Sequence, residues 1–324
     1  MTRLSMASRS RPIALRRVGV PVLFAALLLI ASVFPVAADA PARYSEWGEG
    51  VAVDAVNLPP PSHDGCPIES PNGKQLFIAS NRSGTLGAND IFFVERLTKH
   101  DAWGPVQHPG EPLNTPYNDF CPTPLGDGWL LFVSTRPAQN CAGPSTTGDI
   151  YLTRQLRDGS WRTPTHLGCY PHGPNFVGAE FGPSLVTVGG RTLLYYSSNG
   201  ANPGTDPDQD IYVSRMNRDG SFGPGVQVAE LNTSADETMP NVSLDHTELV
   251  FASNRAGGEG FTDIYSATWD RHAGIWSDVT NLANVNTAYP ESRPSLSGDG
   301  HRLYFGRFAA PGDVYVSTRS EIDD

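Results

Sequence analysis

Apolar positions along the chain gather into short runs closed by polar or turn residues: LFIASNR from Leu76, LLFVSTR from Leu130, LLYYSSN from Leu193, LVFASNR from Leu249 and LYFGR from Leu303. Runs of this length, rich in β-branched and aromatic residues, predict strands rather than helices. After each comes a second strand signal, an Asp followed by an aliphatic and an aromatic residue: Asp90-Ile91-Phe92, Asp149-Ile150-Tyr151, Asp210-Ile211-Tyr212, Asp263-Ile264-Tyr265 and Asp313-Val314-Tyr315. Before each apolar run an acid stands three residues ahead of a proline: Asp64, Asp119, Glu180, Glu237 and Glu291, spaced 55, 61, 57 and 54 positions apart. Trp103, Trp161, Phe222 and Trp276 each open a further extended segment.

Self-similarity at a fixed period marks a repeat architecture. Four short strands per unit describe the blade of a β-propeller. The fold expected is therefore all-β: a five-bladed propeller of four-stranded blades, with repeats at approximately 59–113, 114–171, 172–231, 232–285 and 286–319. The fifth outer strand is missing from the end of the series, but Trp47 leads into VAVDAVNL at the start. Residues 47–58 are thus expected to complete the last blade and latch the ring, which removes an exposed sheet edge. Gly 33 and Pro 28, nearly one residue in five, agree with many turns and no long helices.

The motif of acid-x-x-Pro, Asp-Gly, an apolar strand ending in Ser-Asn-Arg, and Asp-Ile-Tyr resembles the WD-like propeller repeats of the TolB type. The resemblance covers about residues 47–319 and concerns the propeller repeats only, without the N-terminal domain of TolB. Glu237, Ser253-Asn254-Arg255 and Asp263-Ile264-Tyr265 carry it most fully, whereas Gly200 and Gly306-Arg307 break the Ser-Asn-Arg pattern. It implies a propeller of the kind found in periplasmic scaffolds, in regulatory domains beside peptidases and in some carbohydrate-active enzymes.

Charge and the N-terminus narrow the setting. The net charge is −11, and the first 38 residues hold five Arg and no acid. The remainder then carries 23 − 5 = 18 basic against 34 acidic residues, or −16. That sign opposes binding to phosphate backbones, so no nucleic-acid partner is expected. The Arg-rich start, the apolar run Val18 to Val33 and the small residues before Asp39 read as a signal peptide over 1–38. The propeller over 39–324 is then exported, periplasmic or secreted, with no membrane span after cleavage.

Candidate chemistry follows from the repeats. Asp64, Asp119, Glu180, Glu237 and Glu291 should begin the innermost strands. They would then form a ring of carboxylates at one channel mouth, or satisfy backbone N–H groups of the neighbouring blade. His63, His172 and Arg293, with Tyr117, Tyr170 and Tyr289, interrupt the repeat pattern near the loops that lead into those strands, which makes them ligand-binding candidates. The arginines of Ser-Asn-Arg are expected to pair with the Asp of Asp-Ile-Tyr. Cys141–Cys169 is the favoured disulfide and Cys66–Cys121 the second. No metal site and no cofactor are expected, apart from a calcium ion that the run Asp206, Asp208, Asp210 would admit. No nucleophile motif appears. The expected role is therefore a non-catalytic binding or scaffold propeller of the cell envelope, engaging an envelope protein, a peptide or a carbohydrate. The alternative is a glycoside hydrolase-like enzyme using two of the ring carboxylates.

Overall fold

The computed structural model describes residues 44–137, 148–200, 208–309 and 312–322. The expected signal peptide, Cys141 and Asp206 lie outside these residues. Five antiparallel sheets follow one another around a closed ring. In chain order the inner strands are Asp64–Glu69, Asp119–Gly126, Glu180–Val188, Glu237–Val242 and Glu291–Leu296, and each starts on the predicted acid. The second strands are Gln75–Ser80, Trp129–Ser134, Arg191–Ser198, Glu248–Ser253 and Arg302–Arg307. The third strands start on the Asp of each Asp-Ile/Val-aromatic motif. Outer strands complete blades 2, 3 and 4, and in blade 1 a single bridge between Phe93 and Gln107 takes that place.

The latch forms as the repeat count required. Val51–Ala52 pairs antiparallel with Tyr315 and Val316 in blade 5, and the Val53 amide donates to the Val314 carbonyl at 2.9 Å. Trp47 is buried against Phe305 and Leu303, with the Arg319 guanidinium 4.1 Å from its ring centre.

The apolar runs are continuous because both faces of each blade are covered. Successive strand residues point to opposite faces. Leu249 and Phe251 therefore pack towards blade 3, with Tyr195 and Ile211, while Val250 packs towards blade 5, with Leu303 and Phe305. Five such clusters, one for each pair of neighbouring blades, form the core. Trp161, Phe222 and Trp276 are buried in them at equivalent positions, and Trp103 stacks beneath Arg96 at 3.8 Å. Among the described residues no helix is long and apolar enough to cross a membrane.

Candidate functional site

Each inner strand begins at one face of the ring, and its acid is at most 2% exposed. The loops leading in explain why. Five residues before the acid in blades 2 to 5, and seven before it in blade 1, stands an Asn: Asn57, Asn114, Asn175, Asn232 and Asn286. Each accepts the N–H of the residue after the third-strand Asp in the preceding blade, and returns its own amide to the same residue's carbonyl. Asn114 does so with Ile91 at 2.8 and 2.9 Å, and Asn57 with Val314 at 2.8 and 2.9 Å. The acid then ties down the loop that follows, accepting the amides of Leu58, Thr115, Phe176, Thr233 and Thr287. These asparagines recur five times, and overlaying the repeats would have found them.

Four of the acids also hold an arginine. Arg82 meets Asp64, Arg136 meets Asp119, Arg255 meets Glu237 and Arg307 meets Glu291 at 2.5 to 2.9 Å. Each of these guanidiniums donates in addition to a loop carbonyl, of Val56, Leu113, Leu231 and Val285 respectively. The expected pairing with the Asp of Asp-Ile-Tyr is therefore corrected. Asp90 instead accepts the amides of Leu86 and Gly87 and faces His108 at 2.8 Å; Asp263 accepts those of Glu259 and Gly260; Asp210 accepts the Gln227 amide. Asp90 and Asp263 thus close their own loops and have no need of the arginine.

Blade 3 differs. Gly200 replaces the arginine, and the Tyr196 hydroxyl donates at 2.7 Å to the carbonyl of Pro174, which matches the arginine-bound carbonyls of the other blades. Glu180 keeps Ser198 Oγ at 2.8 Å and the Phe176 amide, but among the described residues its Oε2 has no hydrogen-bond partner, and it lies near Asp149. Burial, with the Asp149 charge adding to it, pushes the Glu180 carboxyl well above the ordinary carboxylate range despite the Ser198 and Phe176 hydrogen bonds. His166 Nε2 stands 3.3 Å from Asp149 Oδ2.

Two residues below the acids, every inner strand bulges and places its residue in the left-handed region: Cys66, Cys121, Gly182, Met239 and Arg293, at φ between 47° and 57°. These five side-chain positions meet in the channel neck. Arg293 belongs to the strand and not, as expected, to the loop before it. It is fully buried and reaches across the channel, where Nη2 donates to Thr123 Oγ1 at 2.8 Å and to the Pro122 carbonyl. Gly182 admits it, since a Cβ there would lie 2.6 Å from Arg293 Nη1 and 2.4 Å from Met239 Cα. Arg293 Nε and Nη1 have no partner, and Arg293 has no carboxylate among the described residues. Below the neck the inner strands end around a cavity of about 70 Å³ lined by Thr123, Ser184, Asn241 and Leu296. That is well under the roughly 300–1,000 Å³ of small-molecule sites.

The other predicted residues are dispersed. His63 accepts the Gly312 amide on Nδ1 at 3.1 Å and so joins blade 1 to blade 5 at the latch. His172 is exposed on a turn whose amides point to the Cys169 carbonyl. Cys169 is disulfide-bonded, while Cys66 and Cys121 are free thiols in contact with one another, not the disulfide expected. By chain topology, Tyr117, Tyr170 and Tyr289 share the acid-bearing face with Phe261 and Phe308, and all five are exposed.

No family model matches the sequence, and no curated protein does. Among solved structures, the α-L-arabinofuranosidase from Lactobacillus brevis superposes with a TM-score of 0.54 at 11% identity, over 84% of this chain and 95% of that one. The GH43 endo-arabinanase from Bacillus licheniformis gives 0.50 at 14% identity, over 81% and 94%. The putative TolB from Agrobacterium tumefaciens gives 0.43 at 18% identity, over 77% and 72%. At these identities the likeness is one of fold. The protein is a five-bladed β-propeller, and the comparison does not single out the TolB type.

Proposed function

We propose that this chain is an exported, non-catalytic binding propeller of the TolB-like kind. Its partner, an envelope peptide or carbohydrate, would meet the face on which the inner strands begin. One observation carries the reading: the five repeated carboxylates are buried and occupied by loop amides, four of them also by arginine, so none is presented to a substrate. What that face does present is aromatic. Exposed Tyr117, Tyr170 and Tyr289 offer flat apolar surfaces with a polar tip, which suit stacking on a sugar or gripping a peptide. The test is an array of envelope glycans and peptides probed with the wild type and with a Tyr117→Ala/Tyr289→Ala variant. Binding that the double variant loses while its melting temperature holds supports the proposal; identical binding by both contradicts it.

A second reading, a carbohydrate-active enzyme, draws on Glu180. A carboxyl that holds its proton more tightly than an ordinary carboxylate is tuned in the direction a general acid requires. It ranks second because a sugar would have to reach a group that is fully buried. Hydrolysis of arabino-oligosaccharides by the wild type, abolished in Glu180→Gln, would reverse the order.

A further inference from the structure

The channel neck carries a group of residues that the binding reading does not use. Cys66 and Cys121 occupy the same bulged position in adjacent blades, both at positive φ, and their thiols touch. Cys121 is fully buried, whereas Cys66 is half-buried. Across from them lies Arg293, with two unused N–H-bearing atoms and no carboxylate among the described residues. A guanidinium does not lose its proton, and an uncompensated buried charge costs several kcal/mol. The Gly182 amide also points at Cys121. The two thiols are the titratable groups on which this charge acts.

We infer that Cys66 and Cys121 form a redox-active dithiol, stabilised in its reduced form by Arg293, that closes reversibly to a disulfide between blades 1 and 2 by exchange with an external disulfide. Burial opposes ionisation of Cys121. The hydrogen bond from Cys66, the Arg293 charge and the Gly182 amide outweigh it and hold this thiol below its ordinary value, while Cys66, which gives the hydrogen bond, is raised.

The exchange balances without a further reactant. Cys66 passes its proton to Cys121, and its sulfur attacks one sulfur of the external disulfide, forming a mixed disulfide and releasing the first thiolate. Cys121 gives up its proton and attacks Cys66 Sγ, which releases the second thiolate and leaves the Cys66–Cys121 bond. Starting from the form with one thiolate, the two cysteines lose two electrons and their one proton, and the external disulfide becomes two thiolates, one of which takes up that proton. Closure removes the negative charge beside Arg293. The internal disulfide is therefore the disfavoured form, as expected when the thiolate is the stabilised state.

Equilibration of the folded protein in mixtures of reduced and oxidised glutathione tests this, read by intact mass and by peptide mapping of the Cys66–Cys121 cross-link. The expected result is a mapped internal disulfide that reverses in excess reduced glutathione. In Arg293→Met the equilibrium shifts tenfold or more towards the disulfide; Met239, at φ 54° in the equivalent position, shows that the backbone accepts methionine. Thiols that stay reduced, mixed disulfides that never resolve, or an equilibrium unmoved by Arg293→Met would overturn the inference. Should that variant not fold, the pH midpoint of iodoacetamide alkylation of the wild-type pair decides. A first midpoint below the usual thiol value of about 8.5 supports the dithiol, and one at or above it does not.

Discussion

The Tyr196 hydroxyl donates to the Pro174 carbonyl at 2.7 Å, the place that an arginine fills in each of the other four blades. The tyrosine satisfies the carbonyl but carries no charge, so among the described residues Glu180 is the one ring acid without a cation. Arg307 shows the opposite solution: it stands two positions earlier than its counterparts relative to the third-strand Asp pairing, directly opposite Glu291, yet reaches the same kind of acid and carbonyl. The repeat conserves contacts more faithfully than sequence positions.

The blade 3 exception makes stability depend on pH. The folded Glu180 carboxyl holds its proton well above the ordinary value of 4.5, and Glu291 is raised in the same direction by burial. Above 4.5 the unfolded chain releases a proton that the folded chain retains. The Glu180 contribution is thus fully present below about pH 4.5 and is lost as pH rises through the folded value, at about 1.4 kcal/mol per unit. Urea titrations from pH 5 to 8 should show the wild type losing stability relative to Glu180→Gln. Parallel pH profiles would contradict the assignment.

At the latch, Asn57 makes two hydrogen bonds to Val314 that tie the first described residues to the last blade. Asn57→Ala leaves the buried Val314 amide without its acceptor, at a cost of about 1–3 kcal/mol, while the Val314 carbonyl keeps the Val53 amide. Hydrogen exchange should quicken at Val53 and Val314 before it does in blades 2 to 4. Uniform quickening around the ring would mean that the latch is not the weakest seam.

Glu69 is an ionic clamp that the repeats did not announce. Buried at the far end of the first inner strand, it receives Arg96 of its own blade, Arg302 of blade 5 at 3.0 Å and the Tyr304 hydroxyl. Removing one charge from such a buried set exposes the others, so Glu69→Gln should cost about 3 kcal/mol in a denaturant titration. A loss below about 0.5 kcal/mol would show the set to be as weak as a surface pair.

The blade count, the starts of the inner and third strands and the closing strand were legible, because both faces of every blade are buried and the apolar runs mark those strands directly. The arginine partners were not. Ser80 lies opposite both Asp64 and Asp90 in the ladder, so Arg82, two residues further on, stands equally close in register to either acid. What decides is that the Asp90 oxygens are already filled by the loop amides of Leu86 and Gly87 and by His108, and spacing does not reveal that. Arg293 was misplaced for a related reason. The inner-strand bulge turns the residue two after each acid into the channel, and no pattern of alternation predicts a bulge.

The account stands on the ring carboxylates being architecture, and the melting of Glu237→Gln beside Glu180→Gln at pH 7 tests it most directly. Glu237→Gln leaves the half-buried Arg255 beside a neutral amide and should lose about 3 kcal/mol. Glu180→Gln, with no cation to strand, should match or exceed the wild type. Two variants as stable as the wild type, with ligand binding or turnover lost in Glu237→Gln, would return the carboxylates to chemistry and contradict the account.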